Sequence, residues 1–143
     1  MKDLASAFAA IDAAFDSPRP KKFTGHPYCE ECAEAHEYFR DFTPLTITDV
    51  TDPPETLPLS FLTDQAFSYL LPGILRWLPR TGRQYCVGDV LFHIETRLHT
   101  LNTNQRAAIR DLFICHLRPP KVRDRINRLR LSDHLANRTG PLP

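Results

Sequence analysis

The chain has 143 residues, a mass of 16.4 kDa and a formal net charge of +1, the length of a single domain. A hydrophobic content of 42% excludes full disorder, and no apolar run approaches the ~20 residues of a membrane-spanning helix. Five glycines against 13 prolines leave little material for phosphate-cradling loops, and neither GxGxxG nor GxxxxGK[ST] occurs.

Asp3 to Phe15 opens the chain with Leu4, Phe8, Ile11 and Phe15 at steps of four, three and four, one apolar helix face. Asp12 interrupts this stretch before a secretory signal can form, so the expected compartment is the cytoplasm. Asp16-Ser17-Pro18-Arg19-Pro20 stops the helix. Residues 23–42 read as a turn entering a second helix. Pro44, Pro53, Pro54 and Pro58 make 43–60 an irregular crossover, with one short helical turn over Thr46–Val50. Thr63 is the expected N-cap of a helix carrying Ala66, Phe67, Leu70 and Leu71 towards Pro72. Ile74, Leu75 and Leu78 continue it through a kink or begin a second short helix. Arg80-Thr81-Gly82-Arg83 reads as a loop, and Val90, Leu91, Ile94 and Leu98 mark the next helix, with a small hairpin around 83–90 as the competing reading. Asn102 or Thr103 caps a helix with Ala108, Ile109, Leu112 and Phe113 inside, ended by Pro119-Pro120. Val122, Ile126 and Leu129 form a last stripe before a tail, about residues 137–143, expected to fray. The pattern predicts one mostly α domain over 1–143, a compact bundle of six to seven helices with a Pro-rich crossover and a small zinc-stabilised turn.

The chemistry concentrates in His26-Pro27-Tyr28-Cys29-Glu30-Glu31-Cys32-Ala33-Glu34-Ala35-His36, an H-x2-C-x2-C-x3-H spacing. Zinc favours four tetrahedral thiolate and imidazole ligands in close-spaced pairs. A straight helix would hold His26 and His36 about 15 Å apart, so a shared ion requires a turn through His26–Cys29, which Pro27 favours. His26, Cys29, Cys32 and His36 are therefore the candidate ligands of a structural zinc. Two other readings stand beside it: Cys29 and Cys32 as small buried residues, or as a C-x-x-C redox couple. Glu30, Glu31, Glu34 and Glu37 oppose the electropositive setting a reactive thiolate needs. Cys86 and Cys115 have no close-spaced partner and read as core cysteines; His93, beside Phe92 and Ile94, faces the core or substitutes as a ligand.

The blocks FTGHPYCEECAEAH and FLTDQAFSYLLPGIL resemble an uncharacterised bacterial family, a domain of unknown function with a CxECAEH-like block and a later F-x-T/S-x-x-x-F-x-Y-L-x-P-like block. The resemblance covers about residues 15–120. Thr51-Asp52-Pro53-Pro54-Glu55 replaces the family's Gly/Trp-containing loop, and Ala35 holds the position of its usual histidine. The resemblance implies a small bacterial cytosolic protein and carries no activity.

Charge divides the chain: residues 1–60 hold 5 Lys/Arg and 11 Asp/Glu, residues 61–143 hold 13 and 6. Arg118 to Arg130 contains six bases and one acid, with Arg123, Arg125, Arg128 and Arg130 outside the apolar stripe. This segment suits an acidic protein partner or nucleic-acid phosphates, although a pI near 7.7 is below the usual nucleic-acid signature. No G-x-S-x-G, H-E-x-x-H or deaminase pattern is present. The leading expectation is a non-catalytic protein, immunity- or adaptor-like, that binds a cognate protein. A nucleic-acid-binding module is the first alternative, and a thiol redox or metal-dependent enzyme the second.

Overall fold

The computed structural model describes residues 3–25, 29–49, 58–81 and 84–117. Among these lie five α-helices: α1 (Leu4–Ala14), α2 (Glu30–Phe39), α3 (Asp64–Thr81), α4 (Gln84–Glu95) and α5 (Thr103–Leu112). Short 3-10 turns occupy Thr46–Asp49, Leu59–Phe61 and Leu98–Thr100, and a π-helical turn follows α5 over Phe113–Leu117. No strand forms among the described residues; the one isolated bridge there pairs Thr24 with Leu62 antiparallel. The mostly α class stands, with fewer helices than six to seven. The stripe Val122–Leu129, counted as one of them, lies outside the described residues.

Local chemistry explains the helix starts. The Asp3 side chain caps α1 through the Ser6 N–H, and the Thr63 Oγ1 caps α3 through the Ala66 N–H. Asn102 and Gln105 form a reciprocal capping box on α5. Gln105 also donates to the Ala14 carbonyl at 3.2 Å, so one side chain starts α5 and ties off α1. These two helices pack together, and α1 also lies against α3.

Helix α3 is the centre of the core. Ala66, Phe67, Leu70, Leu71, Ile74 and Leu75 are fully buried, and Trp77 and Leu78 nearly so. It runs unbroken through Pro72 and Pro79, so neither a second short helix nor a loop at Arg80-Thr81 forms. An internal proline costs about 3 kcal/mol, whereas burying each large apolar side chain returns about 1.5–3 kcal/mol. Four such residues beyond Pro72 outweigh the penalty. The same logic removes the hairpin: Cys86, Val87, Val90, Leu91 and Ile94 bury one face of α4. Leu98 falls in the following 3-10 turn instead of extending that stripe. The Pro44–Ile47 segment meets α3 at Gly73, where an added Cβ would lie 2.2 Å from the Pro44 carbonyl oxygen and 2.3 Å from Ile47 Cγ2. Only a residue without a side chain allows that approach. The buried side chains of the helices and turns form one continuous cluster.

Candidate functional site

The His/Cys block is stitched to the rest of the molecule by the Phe23–Gly25 segment. The Thr63 N–H donates to the Phe23 carbonyl at 3.0 Å, joining this segment to the start of α3. On its other side the Thr24 hydroxyl donates to the Cys32 carbonyl at 3.0 Å, and the Phe23 N–H donates to His36 Nδ1 at 3.4 Å. The Phe23 ring is edge-on to both His36 and Tyr69. Cys29 is the N-cap of α2, its Sγ accepting the Cys32 N–H at 3.4 Å. Cys32 is 2% exposed, one turn inside the helix, and His36 follows at i+4. Glu30 and Glu31 fall in the first turn of α2, where the exposed N–H groups favour negative charge. Glu30 and Glu31 thus have a structural reason independent of any cation.

This arrangement places Cys29 and Cys32 at the start of α2 and His36 in its last turn, and it does not group them as a metal centre. Among the described residues no three His, Cys, Asp or Glu side chains are grouped as ligands. His26 lies outside the described residues. His36 Nδ1 accepts the Phe23 N–H, so that nitrogen is not open to a metal while this hydrogen bond holds. All four cysteines are thiols. Cys86 is buried in the core, whereas Cys115 is only partly buried.

His93 faces the interior, within a polar group on and around α4 that composition alone did not reveal. Arg97, 7% exposed, donates from Nη2 to the carbonyls of Leu59 at 3.1 Å and Leu62 at 2.9 Å. Its guanidinium lies 4.4 Å from the centre of the Phe67 ring, and its Nε is 3.3 Å from Asp64 Oδ1. His93 Nδ1 is 3.5 Å from Arg97 Nη1, and His93 Nε2 is 3.6 Å from Asp89 Oδ1. Burial pushes the His93 pKa down, Asp89 opposes that, and Arg97 adds to it. The imidazole is therefore kept neutral, and Arg97 serves as a staple between α4, α3 and the 58–62 segment.

An open cleft of about 250 Å³ lies between the C-terminal end of α1, the Pro44–Leu45 turn and the middle of α3. Asp12, Asp16, Ser17, Ser68 and Arg76 contribute polar groups; Phe15, Pro44, Leu45, Tyr69 and Pro72 contribute apolar surface. Leu45 is 72% exposed. Arg76 pairs with Asp12 and lies over the Phe8 ring at 5.7 Å. The sequence pattern did not single out these residues, because they come from three separated segments, none of which carries a recognisable motif. Arg123, Arg125, Arg128 and Arg130, the expected docking charges, lie outside the described residues.

No protein-family model, curated protein or solved structure matches the chain. The family resemblance rests on the two sequence blocks alone. No helix among the described residues is long and apolar enough to cross a membrane.

Proposed function

We propose that this chain is a non-catalytic helical module that acts by binding a cognate protein, as immunity or adaptor proteins do. The observation that carries this reading is the open cleft with Leu45 at 72% exposure beside it. A leucine held so far into solvent at the mouth of a half-apolar cleft is surface suited to a partner. The basic segment containing Arg123, Arg125, Arg128 and Arg130 would add steering towards acidic regions of that partner. The test is isolation of a stoichiometric complex with the intact chain, identification of the second component and reconstitution from purified proteins. Leu45→Glu should abolish the reconstituted complex while leaving the melting temperature unchanged. A complex indifferent to Leu45→Glu would remove the cleft from the reading.

A structural zinc in the His/Cys block belongs to the same proposal, with His26, Cys29, Cys32 and His36 as ligands and the Phe23 N–H released from His36 on binding. The pair of thiols on one turn of α2 supports it. Protein purified without a histidine tag should then carry about one zinc per chain. Cys29→Ser or Cys32→Ser should lower zinc content and stability together, since structural metal binding is coupled to folding. Protein that is metal-free as isolated, takes up no added zinc and keeps its stability in both variants would overturn the site.

A further inference from the structure

We infer that the cleft between α1 and α3 takes a cationic side chain, flanked by apolar residues, from the protein partner; this rests on the binding reading above. The polar lining is rich in acceptors. Asp12 and Asp16 supply carboxylates, and Ser17 and Ser68 supply hydroxyls. Pro72 adds an acceptor that a helix interior normally hides: it has no N–H, so the carbonyl of Ser68, four residues earlier, is left without its helical donor. Ser68 and Pro72 both line the cleft.

Charge selects the same occupant. Arg76 is matched by Asp12, and Asp16 has no ion-pair partner among the described residues. The cleft therefore keeps one net negative charge and a surplus of acceptors. Arg76 already shows how this surface handles a guanidinium, setting it on a carboxylate and over an aromatic face. A second cation entering at Asp16 would have Ser17 and Ser68 beside it as further acceptors for its N–H groups. Phe15, Pro44, Leu45 and Tyr69 would cover its methylene stem and its apolar neighbours. An anionic occupant would meet carboxylates and lone pairs with few donors to answer it.

The experiment is amide NMR of the full chain titrated with three capped tripeptides, Leu-Arg-Leu, Leu-citrulline-Leu and Leu-Glu-Leu. Citrulline keeps the shape of arginine and removes its charge. Leu-Arg-Leu should shift Asp16, Leu45, Ser68 and Tyr69, with an affinity at least threefold above the citrulline peptide and no response to Leu-Glu-Leu. Asp16→Asn, an exposed substitution expected to leave the melting temperature unchanged, should weaken Leu-Arg-Leu by about three- to fivefold, the range of one exposed ion pair. Equal binding of the arginine and citrulline peptides at these residues overturns the charge inference and leaves the binding reading standing. No shift at these residues with any peptide overturns the cleft as a binding site, and the isolated complex then decides the binding reading separately. If Arg123→Glu with Arg125→Glu moves the same resonances in the peptide-free chain, the occupant is the chain's own basic segment, and the assignment to a partner falls.

Discussion

Arg97 carries more of the structure than any other polar side chain described here. It is buried, it satisfies two carbonyls of the 58–62 segment, and it covers the Phe67 ring. Replacing it with alanine leaves the Leu62 carbonyl without this donor, while the Leu59 carbonyl keeps the Leu62 N–H; a buried unsatisfied group costs about 1–3 kcal/mol, and the contact with the Phe67 ring is lost as well. Arg97→Ala should therefore destabilise the fold by about 3 kcal/mol in urea unfolding. Arg97→Lys should recover only part of that, because one ammonium lacks the planar fork and its ring stacking. His93 beside it sets a pH dependence. Burial and Arg97 hold its folded pKa below the value near 6.5 of the unfolded chain, against the smaller pull of Asp89. The unfolded state then binds the proton more readily. Stability from this group is complete above about pH 6.5 and is lost as pH falls through the lowered folded pKa. Melting temperature measured from pH 8 to 5 should fall in the wild type, and His93→Gln should flatten that part of the curve.

At the level of elements, the junction of α3 with the 44–47 segment decides how the crossover sits. Gly73 is in a helix interior, where alanine is normally about 1 kcal/mol better. Here the added methyl group would run into the Pro44 backbone carbonyl and Ile47, neither of which is the loose end of a flexible side chain. Gly73→Ala should therefore be destabilising, by about 1–3 kcal/mol, the usual cost of overpacking. A gain in stability would show that the crossover yields freely. On the same helix Phe67→Ala should cost about 3–5 kcal/mol, as for other emptied aromatic core sites, and Tyr69, only partly buried, should be milder. Asn102→Ala removes half of the capping box and should cost about 1 kcal/mol. Thermal or urea denaturation reads all three.

For the molecule as a whole, charge divides along the chain, with 5 Lys/Arg and 11 Asp/Glu over residues 1–60 against 13 and 6 over residues 61–143. Arg123→Glu combined with Arg128→Glu should barely move the melting temperature, since exposed ion pairs are worth about 0–1 kcal/mol each. In the reconstituted complex the same double reversal should slow association and reduce its salt dependence. Unfolding by this variant would instead mean that the basic segment is held by the acidic first half of the chain.

The residue pattern was sufficient for the helical class, for the cap at Thr63 and for the inner faces of α3 and α5, and it narrowed the cap of α5 to Asn102 or Thr103, of which the structure uses Asn102. Those features depend on periods of 3.6 residues and on contacts within one turn, which one segment contains by itself. Pro72 left that local reading open between one helix and two, and the loop-like Arg80-Thr81 misled it, because the energy that keeps α3 continuous comes from side chains on other segments. The close approach at Gly73, the burial of Arg97 and the acceptor-rich cleft were likewise invisible. Each joins residues tens of positions apart, and a motif can announce only residues that are near in sequence. The His/Cys block is a different case. Its spacing suggests four ligands, yet the fold engages His36 with the Phe23 N–H and gives Glu30 and Glu31 a role at the start of α2. Spacing determined which groups share a helix; only the packing of the 23–25 segment against it decided what one of them touches.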